Sequence, residues 1–171
     1  EPGGSRADSP AGNRMSVLSD ESKTTKPKRR EAMTKLTEIT KQIRKELKKE
    51  FPECKFSVTK GRGSSITVAL MATAESPFAK LETVDGHTHS GEYAQLNHYY
   101  IEQNESGEWV SNGYILTEQA AQMLITVSEV GNSENWDNSD LMTDYFDVNY
   151  YFGLAIGKWN KPLVARPAIS V

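Results

Sequence analysis

The 171-residue sequence has no lysine or arginine between Lys80 and Lys158, a gap of 77 residues. Those residues include 13 carboxylates, whereas residues 23–62 carry 14 Lys or Arg against 5 Glu, a net charge of +9. The formal total of −3 therefore combines a basic N-terminal segment with an acidic body. Because neighbouring like charges repel, this segregation favours a surface that steers a partner. The alternative interpretation is that the carboxylates only keep a small domain soluble.

Cysteine is also scarce, since Cys54 is the single one in the chain. One cysteine excludes an internal disulfide and a cysteine-rich zinc site, and it is typical of a reducing compartment. Cys54 alternates with Phe56 and Val58, so we expect it to pack in the core rather than act as a nucleophile. The sequence has no apolar run of about 18 residues and no secretory signal pattern, so we expect a cytoplasmic protein without a membrane span.

The length predicts one domain with tails. Residues 1–14 have the composition of a cloning remnant or linker, and we expect a disordered polar tail over residues 1–27. We predict a single domain over residues 28–162, followed by a C-terminal tail over residues 163–171.

The clearest pattern is an apolar stripe at helical spacing before Pro52. Its members recur every three or four residues: Met33, Leu36, Ile39, Ile43, Leu47 and Phe51. Thr24 or Thr25 can cap this helix, and Pro52 ends it. We expect an amphipathic helix with a basic outer face packed on a sheet, in preference to a helix lying on a membrane.

The rest of the chain predicts strands and a second helix. Residues 54–59 and 66–70 alternate around a glycine-containing turn, which indicates a β-hairpin. Residues 95–101 and 109–116 are rich in aromatic and β-branched residues, which are typical of strands. Thr117 is placed to cap the second helix.

We expect Gly131 to serve as the C-terminal glycine of that helix. A last strand follows over residues 147–156, with one face formed by Tyr150, Phe152, Leu154 and Ile156. The predicted order gives an α+β domain with a mostly antiparallel sheet of about five strands packed by two helices.

Three histidines define a candidate metal site. His87 and His89 would share one face of a strand, and His98 with Asp85 or Glu92 would complete a zinc set with an open position. The pair lies in a glycine-flanked, loop-like segment without a supporting helical motif. We therefore prefer to interpret them as polar loop residues, and we expect no cofactor.

Three stretches together resemble a known family. They are the helix leading into FPECKFSV (residues 51–58), QLNHYY (residues 95–100), and Asp140 with DYFDVNYY (residues 144–151) through IGKW (residues 156–159). The chain from about residue 35 to 162 is similar to the twenty-ninth large polyvalent protein-associated domain. The resemblance implies a setting in phage or conjugative-plasmid proteins, often within very large polyproteins, and it implies no catalytic residues.

Three functions are compatible with this sequence. The first is a non-enzymatic interaction protein of a phage or mobile element in the host cytoplasm. Its partner would be a host nucleic-acid-binding protein or nucleoprotein complex, defence complexes included. Carboxylates spread over a folded surface can enter a groove built for nucleic-acid phosphates. The candidate residues are close in sequence: Glu129, Glu134, Asp137, Asp140, Asp144 and Asp147.

The second function is a nucleic-acid-binding accessory module that uses the basic helix and the hairpin. Its candidate residues are Lys28, Arg29, Arg30, Lys41, Lys45, Lys60 and Arg62. The third is an enzyme with a metal centre at the three histidines and with Asp85 or Glu92 as the base.

Overall fold

A computed structural model of the protein describes residues 25–139, 142 and 147–165, with side chains from residue 35 onward. The elements in chain order are α1 (Thr25–Glu50), β1 (Lys55–Lys60), β2 (Ser65–Thr73), β3 (Ala94–Leu96), β4 (Glu102–Gln103), β5 (Trp109–Ser111), β6 (Tyr114–Leu116), α2 (Glu118–Asn132), β7 (Tyr151–Ile156) and β8 (Val164–Ala165). The predicted α+β class with two helices is confirmed. Most of the predicted N-terminal tail, residues 1–24, lies outside the described residues.

The larger sheet has the strand order β1-β2-β7-β3, and β8 pairs with the end of β2. β1 and β3 are antiparallel to their neighbours, whereas β7 and β8 both run parallel to β2. A strand that returns parallel needs a long crossover, usually a helix, and α2 supplies it between β2 and β7. β4, β5 and β6 form a second, antiparallel sheet. The predicted mostly antiparallel arrangement is therefore confirmed, with the pairings of β2 with β7 and with β8 as the exceptions.

Both helices cover the same face of the larger sheet. The described part of the predicted α1 stripe joins one cluster with side chains of α2 and of every second residue of β2 and β7. Its buried members are Leu36, Ile39, Ile43 and Leu47, and Phe51 is partly buried, whereas the Met33 side chain lies outside the described residues. Ala69, Met71 and Ala155 form a separate small cluster on the opposite face. None of the helices described is long and apolar enough to cross a membrane.

The predicted cap of α2 is confirmed, because the Thr117 hydroxyl accepts a hydrogen bond from the Ala120 N–H at 3.2 Å. The predicted strand over residues 109–116 is in fact two strands, β5 and β6. Asn112 and Gly113 separate them, with φ angles of 49° and 83°. Two adjacent residues with positive φ form the tight hairpin turn for which Asn-Gly is the preferred pair.

The described fold continues past the predicted domain end at residue 162. Leu163 is 8% exposed and belongs to the main core, and its N–H donates to the Glu92 carbonyl at 2.8 Å. Val164 and Ala165 then extend the sheet beside β2. This short return gives the end of β2 a neighbour on the side away from β1, where the pairing with β7 has already ended.

The prediction for Gly131 was wrong. Gly131 is buried within α2, which continues to Asn132, and the residue has no positive φ that would mark a C-terminal glycine cap. A Cβ at this position would overlap the ring of Phe152 on β7. Gly131 is therefore required because the helix and the strand pack too closely for any larger residue.

We predict that Gly131→Ala lowers the free energy of unfolding by about 1–3 kcal/mol, as overpacking does, although alanine is the better helix former. Urea denaturation measures the change. The exposed Gln122→Ala on the same helix is the control and should change stability by less than about 0.5 kcal/mol. The double variant Gly131→Ala with Phe152→Leu should lose less unfolding free energy than the two single variants lose together. Full additivity would contradict the proposed close contact.

Candidate protein-binding groove

The carboxylates predicted from the sequence gather where α2 ends. Glu129 is exposed in the last turn of the helix, and Glu134 and Asp137 are exposed in the loop that follows. Asp147 is partly buried before β7, and a β-bridge joins the residue after it to Asp137. The other two residues of the predicted set lie outside the described residues: Asp140 and Asp144.

A groove of about 400 Å³ opens beside the end of α2. It is lined by His98, Tyr99, Ser128, Glu129, Asn132, Asn135, Trp136 and Asp137. No Lys or Arg is among these lining residues, and the last turn of α2 also has no basic residue. The C-terminal end of a helix carries a partial negative charge, which adds to the charges of Glu129 and Asp137. We refer to this feature as the acidic groove.

Neutral side chains attach the loop after α2 to the start of β7. The Asn135 side chain donates to Asn132 Oδ1 at 3.1 Å and accepts from the Tyr150 N–H at 3.2 Å. Asn149 donates from Nδ2 to the Glu134 carbonyl at 2.6 Å, and its N–H donates to the Trp136 carbonyl at 3.0 Å. The groove wall is thus fixed without an ion pair among these contacts.

Tyr150 is the buried anchor of this loop. Its side chain is 1% exposed, and its hydroxyl donates to the Gly131 carbonyl at 2.7 Å, which satisfies one of the last carbonyls of α2. Burial, with a smaller contribution from the negative charge of Glu134, raises the pKa of Tyr150 to about 12. The hydroxyl therefore stays protonated and remains a donor at physiological pH.

Asp137 is held in its charged form. Hydrogen bonds from Ser139, first its hydroxyl and then its N–H, lower the pKa of the Asp137 carboxyl. The N–H bond measures 2.8 Å to Oδ1. The Ser139 hydroxyl in turn accepts from the Asp147 N–H at 3.0 Å, so the loop presents Asp137 at a fixed position.

Aromatic rings supply the remainder of the wall. Tyr99 is 78% exposed and Trp136 is 42% exposed. The ring of His98 lies 3.9 Å from that of Tyr99 and meets the ring of Phe152 edge-on at 5.0 Å. Burial lowers the pKa of His98 below its usual 6.5, so His98 is neutral at pH 7. Trp136 was not among the residues predicted from the sequence, although a tryptophan in a polar acidic loop without apolar neighbours is a signal for a binding residue.

The structure does not assemble the predicted metal site. His87 is exposed in its loop, whereas His89 packs between the rings of Phe78 and Tyr114 at 4.6 and 5.0 Å. His98 lies in the acidic groove instead. Within the described parts of the chain, no group of three or more His, Cys, Asp or Glu side chains is placed to hold a metal ion. His87 is therefore an exposed loop residue, whereas the rings of His89 and His98 pack against other aromatic rings.

The basic candidates lie on α1 and the β1–β2 hairpin. Lys41 and Lys45 are exposed on α1, and Arg62 is exposed at the tip of the hairpin. Lys60 donates from Nζ to Thr37 Oγ1 at 3.4 Å, which joins the hairpin to the helix. The side chains of the remaining candidates lie outside the described residues: Lys28, Arg29 and Arg30.

The model of the family described as large polyvalent protein associated domain 29 matches residues 34–131, which is 98 of the 171 residues. No curated protein and no solved structure matches the chain. The matched range begins in α1 and ends in α2, and it includes Glu129 but not the loop that follows.

Of the three stretches that suggested the resemblance, the matched range contains the first two, and the third lies beyond it. Membership of this family indicates a protein associated with a phage or another mobile element. With more than half of its length matched, the chain belongs to the large polyvalent protein associated domain 29 family.

Proposed function

We propose that this protein is a non-enzymatic interaction protein of a mobile element, and that the acidic groove binds an arginine-rich segment of a host nucleic-acid-binding protein. One observation carries the proposal. Exposed carboxylates and two exposed aromatic rings line one groove, and no Lys or Arg is among its lining residues in the described part of the chain. Such a lining is complementary to cationic side chains that also have an apolar or planar surface, rather than to an acidic ligand.

Arginine fits this lining better than lysine does. Its planar guanidinium pairs with a carboxylate through two hydrogen bonds and also stacks on the faces of Tyr and Trp. Glu129 and Asp137 supply the carboxylates, and Tyr99 and Trp136 supply the rings, all within one groove. His98 is neutral and adds no repulsion at pH 7.

The choice of a nucleic-acid-binding partner follows from the same chemistry. Proteins that bind nucleic acids present Arg and Lys toward phosphates, and carboxylates on a rigid surface can occupy those cationic positions. Neutral hydrogen bonds hold the loop that carries Glu134 and Asp137, so these contacts fix the loop without pairing either carboxylate with a cation. A partner protein would thus meet fixed negative charges in place of nucleic acid.

A role as a general acid is not favoured for the groove carboxylates. A general acid needs a raised pKa, usually obtained by burial, whereas Glu129 and Asp137 are exposed and the pKa of Asp137 is lowered. The Asn side chains nearby are engaged in the loop hydrogen bonds. These features suit recognition better than proton transfer.

The direct experiment is affinity capture from a host lysate with the full chain as bait. We expect nucleic-acid-binding proteins to be enriched, and we expect double-stranded DNA or RNA added in excess to displace them. Affinity for each purified partner should fall as salt concentration rises. Captured proteins that resist both nucleic acid and salt would contradict the proposal.

We predict that reversing three charges, Glu129→Lys, Glu134→Lys and Asp137→Lys, weakens partner binding by at least about a hundredfold, because attraction becomes repulsion. Isothermal titration with a purified captured partner measures the loss. The matched control reverses three exposed glutamates of the basic N-terminal segment and changes the net charge equally: Glu38→Lys, Glu50→Lys and Glu53→Lys. Equal losses in both variants would show that only net charge matters.

We also predict that Trp136→Ala weakens binding by about tenfold, as loss of one cation–π contact and its buried area implies. Trp159 provides the control, since it is 89% exposed outside the acidic groove. Trp159→Ala should leave the affinity for the same partner within about twofold. Circular dichroism spectra of both variants should match that of the parent protein, and an unchanged affinity for Trp136→Ala would remove the aromatic wall from the proposal.

A further inference from the structure

Strand β1 lies at an edge of the larger sheet, and no strand in the described part of the chain pairs with its outer side. The Gly61 N–H donates to the Ser65 carbonyl at 2.9 Å, so Gly61 and every second residue before it face β2. The backbone N–H and C=O groups of Phe56, Val58 and Lys60 therefore point away from β2, toward the unpaired side of β1. They form a row of donors and acceptors that another strand can pair with.

One of these outward groups already has a side-chain partner. Arg44 of α1 donates a hydrogen bond to the Val58 carbonyl. An added strand would supply a backbone N–H to the same carbonyl. The guanidinium of Arg44 would then be released next to that strand, where a carboxylate is its best partner.

Two cavities flank β1 on opposite faces of the sheet. The one between α1 and β1 has a volume of about 360 Å³ and includes Leu47, Pro52 and Cys54. The one on the other side has a volume of about 540 Å³ and includes Met71 and Pro162. Both are lined by the same residues along the edge: Arg44, Lys55, Phe56 and Val58. Because side chains of a strand alternate between faces, a strand added to β1 would send successive side chains into one cavity and then the other.

The charges of these cavities select the added strand. Lys158 and Lys161 line the larger cavity and Lys48 the smaller, in addition to the shared Arg44 and Lys55. Among the residues that the structure describes, no Asp or Glu lines either cavity. Lys158 extends over the face of the sheet opposite the helices and donates from Nζ to Ser57 Oγ at 2.8 Å. A cationic lining around an open strand edge is complementary to an acidic peptide in extended conformation.

From this arrangement we infer that the outer edge of β1 is a second binding site, which takes an extended acidic peptide segment of a partner protein as an added strand. Main-chain hydrogen bonds to Phe56 and Lys60 fix its register. Carboxylates at alternate positions meet Lys158 and Lys161, and apolar side chains between them enter the cavity beside Leu47. The site is independent of the acidic groove, which lies at the other end of β7.

The test uses the full chain and a fluorescein-labelled peptide of four Glu-Val repeats with blocked ends. Fluorescence anisotropy should show saturable binding, and the Phe56, Val58 and Lys60 amide signals should move in ¹⁵N NMR spectra. A block peptide of four Val and four Glu has the same composition and should bind at least about tenfold more weakly, because it cannot alternate. Two further peptides carry N-methyl groups on the backbone nitrogens of either the valines or the glutamates. At least one of them should lose binding, because it lacks the N–H donors on the edge that pairs with β1.

Charge variants locate the site. Lys55→Glu with Lys161→Glu should weaken peptide binding by at least about tenfold. Lys45→Glu with Lys49→Glu changes the charge equally on the outer face of α1 and should have less than about a twofold effect. The Glu129→Lys, Glu134→Lys, Asp137→Lys variant should retain peptide binding, so failure of this site and failure of the acidic groove remain distinguishable.

Four results would overturn the inference. Equal affinity for the alternating and the block peptide would reduce the site to a non-specific cationic patch. Absence of binding would show that Arg44 and the lysines only protect an exposed strand edge. An oligonucleotide that binds through Lys55 and Lys161 more tightly than the peptide would assign this surface to nucleic acid. A dimer in sedimentation experiments that these substitutions dissociate would make a second copy of the chain the occupant.

Discussion

The parallel pairing of β7 with β2 is the constraint on which the rest of the structure depends. It aligns Tyr151–Ile156 with residues 65–70 in the middle of the sheet and places Phe152, Leu154 and Ile156 beneath the helices. Six residues in a strand span about 20 Å. The acidic groove lies at the start of this strand, and the cationic edge of β1 lies near Lys158 just after its end. The position of β7 thus separates two surfaces of opposite charge by a fixed distance.

Local elements of this fold could be predicted because their causes are local. The α1 stripe, the first hairpin and the Thr117 cap each depend on residues a few positions apart, and all three appear in the structure. The alternation of Tyr150, Phe152, Leu154 and Ile156 likewise predicted a buried face of β7. The spacing of hydrophobic residues and the presence of capping residues are enough to predict such elements from the sequence.

Features that depend on distant residues could not be predicted in this way. Gly131 has the sequence context of a helix end, and only the position of Phe152 on β7 shows that it is a packing residue. The return of the chain after Pro162 depends on the open end of β2, which no local pattern specifies. For the candidate site, the sequence identified the carboxylates but not Trp136 or the contribution of His98, because the groove arises from α2, its following loop and the segment after β3.

The absence of Lys and Arg from the acidic body, residues 81–157, determines which contacts can hold its loops in place. A loop with several carboxylates is commonly fixed by Lys or Arg, but each such pair would neutralise a charge at the surface. Here the loop after α2 is held by amide, hydroxyl and backbone groups, with Asn135, Asn149 and Tyr150 as the main contributors. Those groups stabilise the conformation and leave the charges of Glu129, Glu134 and Asp137 uncompensated by these contacts. In the described part of the chain, the basic side chains near the sheet instead meet neutral oxygens, as Arg44 does at Val58 and Lys158 at Ser57. Apart from the Lys80–Glu108 ion pair, the contacts described for each surface use neutral groups, and the charges of the acidic groove and of the β1 edge remain accessible to partners.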